Sequence, residues 1–393
     1  MTIQSAPHVL LRKRLERALA QGHPWLWRDA LIEHSYAPGT IVEVCDRQGS
    51  FLGRGILDAG PLALRVWTTE PGEAIDGSLF QRRVEEAAAL RRRVVPRETT
   101  GFRLLHGEGD RTPGVVCDVY DTIAVLKLDG EGILAHRGSL LEALEGPLAS
   151  FGVTTLLVRS GRREEARCEV AWGDMPNEAL PIRERGMTLW VDAVHGQKTG
   201  MFLDHRDSRA RVRELSHGAR VLNLFGYTGG FSIAAGLGGA HDVTTVDLAG
   251  PALALAERGW ASNDLRPDAH RVHRADAFAF LEHAAARRER WDIIVADPPS
   301  FAPSEASLEA ALASYRKLHA ACLAVLARGG LYLGASCSSH VRRDAFDETI
   351  LAGAAKARRA LQLLDAWGAA PDHPRLPAFP EGDYLKSTLV RAP

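Results

Sequence analysis

Residues 221–237 read VLNLFGYTGGFSIAAGL, and the fold is decided there. An apolar run over 221–225, too short for a helix, breaks at Gly226-Tyr227-Thr228-Gly229-Gly230. From 231 to 237 the apolar residues continue at helical spacing. The same unit recurs downstream. A strand over 243–246 ends in Asp247 before a helix at 251–262, and 270–273 leads through Asp276 into another helix. A strand over 291–296 ends in Asp297-Pro298-Pro299, and a helix over 307–327 stops at Gly329-Gly330. The next strand, 331–335, ends in Ser336-Cys337-Ser338. From about 187 onward, strands alternating with helices predict an α/β domain with a parallel sheet covered on both faces. Its chemistry-bearing residues fall at the C-terminal ends of strands, where open α/β sheets bind ligands.

The preceding chain follows another grammar. Leu11, Leu15, Ala18 and Leu19 recur at helical spacing, and Gly22, His23 and Pro24 stop that helix. Short β-rich runs at 41–45, 51–57 and 62–68, divided by Gly and Pro turns, predict a small barrel ending near Pro71-Gly72. Between about 76 and 185 come a helix (79–95), a hairpin (115–120 and 123–128) turning at Asp121-Thr122, a helix (134–150) and a strand (154–158). That order is α+β rather than doubly wound. The expected domains are therefore 1–72, 73–186 and 187–393.

Composition narrows the class. The 393 residues are 46% hydrophobic and 25% charged, with 48 Lys+Arg against 49 Asp+Glu, which excludes collagen, coiled coil and disorder. Neutrality argues against a bulk polyanion binder and leaves room for a local basic face. Only six of the basic residues are Lys (13, 127, 198, 317, 356, 386), a bias that a GC-rich genome mostly explains; where a Lys survives in so Arg-rich a chain it is a candidate for a place that Arg's planar head does not serve. Five scattered Cys without a CxxC or CxxH pair point to a reducing compartment, with neither disulfide framework nor metal knuckle. No run approaches the ~20 apolar residues of a membrane span. Charges interrupt the N-terminal stretch where a signal peptide needs apolar residues, so the expected location is the cytoplasm.

The glycine turn is neither GxGxxG nor GxxxxGK[ST], which leaves NAD and ATP poorly supported. Asp247, one strand on, is placed to hold a ribose diol, and Asp276, with Ala277, to accept a hydrogen bond from an adenine amino group. A glycine turn beneath a ligand without pyrophosphate needs only close backbone approach. The turn with Asp247 fits S-adenosylmethionine as well as a dinucleotide; Asp276 and the Asp297-Pro298-Pro299 turn tip the reading to S-adenosylmethionine. Pro298 and Pro299 lack N–H groups and break the strand at a defined place, pinning Asp297 above a stiff floor. At the next strand end, Cys337 lies between serines rather than in an apolar stripe, unlike Cys45, Cys117, Cys168 and Cys322. Cytosine carbon 5 is too weak a nucleophile to take a methyl group directly. A thiolate adding at C6 makes C5 enamine-like, and a carboxylate on the N3/N4 edge stabilises the adduct. Asp297 and Cys337 are the expected pair, provided that the thiol's ordinary pKa of about 8.5 is lowered or a base is supplied.

GHPWLW (22–27), HGQKTGMFLDHRDSR (195–209), VLNLFGYTGGF (221–231), DPPSF (297–301), SCSSHV (336–341) and DHP…PEGDYLKS (372–387) together resemble the bacterial 23S rRNA cytosine-5 methyltransferases with an N-terminal PUA domain. The resemblance runs from about residue 8 to 391. It implies a PUA β-barrel, an α+β linker domain and a Rossmann-like class I methyltransferase domain. By position, Cys337 matches the family's catalytic cysteine and Asp297 its second catalytic residue, close to the cofactor. Asn223, Phe225, Tyr227, Thr228, Gly229, Asp247, Asp276 and Ala277 match the S-adenosylmethionine pocket. Lys198, Thr199, Gly200, Phe202, Asp204 and Arg206 match the block closing over the cofactor's methionine end. Ser300 stands where many RNA cytosine-5 methyltransferases carry a second Cys, as is usual in this family.

The implied partner is 23S rRNA or a large-subunit assembly intermediate, with no membrane; a homodimer is compatible with the sequence. Two other functions compete. The stretch GLGGAHDVTTVDLA (236–249) also resembles the guanine-N7 methyltransferase half of a fused rRNA enzyme, which lacks a counterpart of Cys337. A non-catalytic RNA-binding assembly factor would not need Asp247, Asp276, Asp297 and Cys337 together. For RNA contact the candidates are Arg12, Lys13, Arg14, Arg17, the Arg-rich helix face at 82, 83, 91, 92 and 93, and Trp25 and Trp27. A target cytosine must unstack to reach a buried thiol, which favours a loop or an assembly intermediate as substrate.

Overall fold

The structure is a computed structural model that describes residues 7–160, 167–302 and 304–393, in two compact units. The first comprises Met1–Pro96, Thr100–Asn177 and Pro371–Gly382; the second comprises Arg97–Thr99, Glu178–Ala370 and Asp383–Pro393.

In the first unit, β1 (His8–Leu10), α1 (Glu16–Ala20) and β2 (Trp25–Trp27) precede β3 (Ile41–Cys45), β4 (Phe51–Leu57) and β5 (Leu62–Thr68). The last three coincide with the runs read from sequence. All five strands form one sheet in the order β1-β3-β4-β5-β2. The helix expected from Leu11 is only the five residues of α1. Leu11 instead donates its N–H to the Cys45 carbonyl and bridges to Leu31. Leu11 and Leu19 share one core with Val42, Val44 and Leu64, so the helical spacing arose from two different elements facing the same interior.

Next come α2 (Gly77–Val94), β6 (Gly101–His106), β7 (Val115–Tyr120), β8 (Ile123–Leu128), α3 (Glu131–Leu134), α4 (Arg137–Ala149), β9 (Thr155–Ser160) and β10 (Arg167–Trp172). The strands form a second sheet, β10-β9-β8-β7-β6, with α2 and α4 packed over it. Asp76 caps α2 by accepting the N–H groups of Ser78 and Leu79. The Arg-rich face of this helix is only partly a solvent face. Arg83 is buried against Glu73 and Glu86, and Arg91 is buried against Asp110 with a further bond to the Asp372 carbonyl. Arg83 and Arg91 are committed to these protein partners, Arg91 to the segment around Asp372, and do not reach phosphate. Arg12, Lys13, Arg14 and Arg17 are exposed, and Trp27 is 46% exposed. Trp25 is half-buried and donates its indole N–H to Glu108 at 2.8 Å.

The second unit starts with a hairpin, β11 (Leu180–Glu184) and β12 (Met187–Val191), turning on Arg185 and Gly186, both at positive φ as a tight two-residue loop requires. Then follow α5 (Arg206–Leu215), β13 (Arg220–Leu224), α6 (Gly230–Leu237), β14 (Asp242–Asp247), α7 (Gly250–Ala261), β15 (His270–Arg274), α8 (Ala277–Ala286), β16 (Trp291–Ala296), α9 (Leu308–Val325), β17 (Leu326–Ser336), α10 (Arg343–Ala357), β18 (Gln362–Trp367) and β19 (Lys386–Arg391). The seven-stranded sheet runs β15-β14-β13-β16-β17-β19-β18, all neighbours parallel except the pairings of β19. Side chains alternate across it. Leu222, Leu224, Ile294 and Ala296 pack under α8 to α10, whereas Val221, Ile293 and Val295 pack with Phe231 and Trp260 on the other face. Gly329 and Gly330 lie within β17 rather than ahead of it. The strand order reverses between β13 and β16, and this is where an open α/β sheet offers its crevice.

Candidate active site

A cavity of about 300 Å³ opens at that reversal, at the lower end of the range for small-molecule sites. Of the residues expected from sequence, Phe202, Asp204, Phe225, Tyr227, Thr228, Asp247, Asp276, Ala277, Asp297 and Cys337 line it, with Pro298 and Pro299. Lys198, Thr199, Gly200, Arg206, Asn223 and Gly229 are not among its lining residues.

The turn after β13 shapes one side of the cavity. Phe225 and Tyr227 hold left-handed φ of 58° and 47°, backbone conformations that non-glycine residues adopt only when the surroundings impose them. Gly229 is at φ 75°, and a Cβ there would lie 2.5 Å from that of Ala256. Asn223 is one layer deeper than expected. Its amide donates to Ser232, which bonds Thr245, which bonds His270. Asp247 is fixed by two backbone donors, Tyr227 N–H to Oδ2 at 2.9 Å and Ala249 N–H to Oδ1 at 2.8 Å. Asp276 caps α8, one oxygen accepting from Ala279 N–H at 3.0 Å. Each carboxylate retains lone pairs for a ligand.

The 197–209 stretch forms the opposite wall. The Tyr227 hydroxyl accepts from Gln197 N–H at 2.8 Å and donates to the Gly200 carbonyl at 3.0 Å, tying this stretch to the glycine turn. Lys198 is exposed, while Thr199, Asp204 and Arg206 are buried. Asp204 accepts from the Tyr384 hydroxyl at 2.6 Å. Arg209, outside the expected set, is buried in a bidentate pair with Glu184 at 2.7 and 2.5 Å, and its remaining fork arm donates to the Phe202 carbonyl at 3.0 Å.

That geometry sets what the cavity accepts. Its lining carries four carboxylates against Arg209, which is held by Glu184 and the Phe202 carbonyl, and His205, which faces Asp297. A pyrophosphate would meet net repulsion. A ligand with an adenosine end and a net positive charge fits, which is the character of S-adenosylmethionine.

On the far side, Asp297 and Cys337 follow the adjacent strands β16 and β17. Their two loops are laced together: Ser300 Oγ bonds Ser338 Oγ at 3.0 Å, and the buried Tyr315 hydroxyl bonds Ser336 at 2.8 Å and Ser338 at 3.2 Å. Burial pushes the Cys337 thiol up to about 12, with Asp297 and Asp204 adding to the shift and Lys198 opposing it. Without a ligand the sulfur is therefore protonated, the opposite of a thiol already lowered for attack. Lys386 sits opposite Ser336 across the β17–β19 pairing and donates to the Ser338 carbonyl at 2.7 Å. Burial lowers its ammonium to about 8, against the raising influence of Asp383 and Cys337. His205 completes the wall, its Nε2 3.2 Å from Asp297 Oδ2.

His205, Arg209, Glu184, Tyr315 and Lys386 were not among the expected site residues. Two of them, His205 and Arg209, stand in the quoted block 195–209, and Lys386 in 372–387. Glu184 and Tyr315 carry no local signal, because each acts through a partner distant in sequence.

Comparison with known proteins agrees with this architecture. A family profile described as S-adenosylmethionine-dependent methyltransferase matches residues 125–389, and a PUA-like domain profile matches residues 9–69. Proteins of Shigella boydii and Escherichia coli named ribosomal RNA large subunit methyltransferase I are 35% identical over 390 residues, covering 98% of this chain and 98% of theirs. A Streptococcus mutans chain described as a SAM-dependent methyltransferase superposes with a TM-score of 0.86 at 23% identity, covering 98% of this chain and 100% of its own. A methyltransferase crystallised with SAH superposes at 0.87, also at 23% identity and with the same coverage. These two likenesses speak for the fold.

Proposed function

The chain belongs to the S-adenosylmethionine-dependent methyltransferase family, with a PUA-like domain at its N-terminus, and from that premise we propose that it methylates carbon 5 of a cytosine in 23S ribosomal RNA through a covalent adduct with Cys337. The name of its full-length relatives supports a large-subunit ribosomal RNA as substrate. One observation carries the choice of base: a thiol and a carboxylate, Cys337 and Asp297, share the wall of the acidic cavity beyond the adenosyl side. Methylation at guanine N7 needs no sulfur nucleophile there.

In this reading residues 1–72 hold RNA, 73–186 connect, and 187–393 catalyse. Asp247 takes the ribose diol and Asp276 the adenine amino group. The 198–206 stretch closes over the methionine end, Phe202 and Asp204 from the cavity wall and Lys198, Thr199, Gly200 and Arg206 from outside its lining. S-adenosylmethionine, when bound, supplies an electrophilic methyl group. Asp297 holds the N3/N4 edge of the unstacked cytosine, and Cys337 sulfur adds to C6 as its S–H proton passes to the Asp204 carboxylate on the same wall, so that the C5–C6 π pair becomes available at C5. Loss of the C5 proton to solvent then expels the sulfur, which takes its proton back from Asp204, and restores the ring. The protonated resting thiol means that sulfur is activated only in the loaded site, where a cationic ligand offsets the field of Asp204 and Asp297.

The test is transfer of labelled methyl groups to rRNA and large-subunit particles, with nucleoside mass spectrometry and site mapping. Wild type yields 5-methylcytosine, and Cys337→Ala yields none while still binding cofactor. Survival of 5-methylcytosine in that variant refutes the covalent route; 7-methylguanosine refutes the base. No transfer to any RNA or particle supports an RNA-binding assembly factor.

A further inference from the structure

His205 lies just before α5, is 3% exposed, and is held on three sides. Its Nε2 is 3.2 Å from Asp297 Oδ2, its Nδ1 is 3.2 Å from Ser208 Oγ, and its ring meets that of Phe231 edge-on with centroids 5.4 Å apart. The charged groups facing it are Asp297 from the end of β16, Asp204 from the turn before α5, and Arg209 from α5 itself. Burial works against a charged imidazole. The charge and hydrogen bond of Asp297, aided by Asp204, outweigh burial and Arg209, so the ring keeps its proton above the usual histidine range. A packing residue at this place would gain nothing from a buried titrating ring. A donor aimed at one oxygen of a cavity carboxylate does gain: it fixes the carboxylate's orientation and leaves the other lone pairs toward the cavity.

We propose that His205 is a positioning residue for Asp297, orienting its carboxylate against the pyrimidine edge and relaying through it the proton that N3 takes up when sulfur adds to C6. The proposal rests on the roles given above to Asp297 and Cys337. As the S–C6 bond forms, the displaced π pair spreads to N3. The His205 Nε2–H proton moves to the Asp297 carboxylate, and the acid so formed protonates N3, leaving the imidazole neutral and Asp297 again a carboxylate. When the S–C6 bond breaks and the C5–C6 double bond returns, the N3 proton goes back by the same path. No outside acid enters the cycle.

Two measurements test it on the full chain. First, with histidine ring carbons labelled, the NMR signal absent from His205→Gln identifies His205 in the ligand-free protein. Its titration midpoint lies above the ordinary value of about 6.5 in wild type and falls in Asp297→Asn. Second, kcat and KM for rRNA are followed against pH. Wild type loses kcat on the alkaline side as His205 deprotonates. His205→Gln keeps a donor to Asp297 but no relayed proton: KM stays within about 3-fold, kcat falls about 100-fold at neutral pH, and the alkaline limb disappears. His205→Phe loses the donor as well and raises KM. Melting temperature and cofactor binding, measured on each variant, separate misfolding from these effects. A His205 midpoint below 6.5, or an unaltered alkaline limb in His205→Gln, overturns the relay. Activity surviving in Cys337→Ala refutes the covalent reading instead, and the titration arm still reports on the ion pair.

Discussion

Replacing Asp297 by Asn will change methyl transfer and thiol reactivity in opposite directions. The wild-type Cys337 thiol, buried and facing Asp297 and Asp204, is pushed up to about 12. Near pH 7.4 its thiolate fraction is then on the order of 10⁻⁵, against several per cent for a free thiol with a pKa of about 8.5. Higher basicity makes the rare thiolate more nucleophilic, recovering about half of that deficit on a logarithmic scale. The net expectation is alkylation about two orders of magnitude slower than for free cysteine, with a rate that climbs with pH through about 10 without a plateau. A neighbouring like charge shifts a titration by about one unit or more, so Asp297→Asn should raise Cys337 alkylation several-fold near neutrality. The same change removes the carboxylate from the pyrimidine edge and should lower kcat at least ~100-fold. The assay is iodoacetamide labelling of the ligand-free protein over a pH series, quantified on the Cys337 peptide. Cys168, half-buried in β10, serves as internal reference. Labelling of Cys337 as fast as free cysteine, a plateau below pH 9, or slower labelling in Asp297→Asn would each refute the electrostatic argument.

The remaining predictions concern stability. Glu184→Gln removes the bidentate counter-charge of the buried Arg209 guanidinium and leaves only the more distant Asp204 and Asp297, a loss of up to about 3–5 kcal/mol. At about 2–4 °C per kcal/mol for a unit of this size, calorimetry should show the catalytic unit melting up to roughly 10 °C lower. The Glu184→Leu/Arg209→Met pair should recover most of that, and a double variant as unstable as the single would sink the argument. His270 and His319 are kept neutral by burial, with pKa lowered to about 4 and about 3. Between those values and about 6.5 the unfolded chain binds more protons, so stability is full above pH 6.5 and falls on acidification by about 1.4 kcal/mol per unit for each ring. Urea midpoints that stay flat between pH 6.5 and 4.5 would contradict this.

Much of the fold is legible because its signals are local. The runs at 41–45, 51–57, 62–68, 115–120 and 123–128 are bounded by turn residues, and their strands begin and end where those residues do. Asp121, at φ 58°, makes the tight turn read from its dipeptide. The strand ends carrying Asp247, Asp297 and Cys337 were legible for the same reason, since a parallel α/β unit delivers the end of every strand to one edge. The helix read from Leu11 failed because periodicity cannot distinguish one helix from a strand and a short helix that bury residues in the same core.

By itself, the sequence determined the strand–helix alternation from 221 to 335, the sheet edge at which those strands end and the residues at their tips. Only the tertiary structure decided their state. Residues 205 and 297, from the turn before α5 and the end of β16, are brought to 3.2 Å; Glu184 reaches Arg209 from a separate hairpin; and the antiparallel pairing of β19 sets Lys386 beside the loop that bears Cys337. None of these meetings has a local signature, because each depends on long-range register and on removal of water. Burial among carboxylates is also what pushes a thiol of ordinary acidity up to about 12.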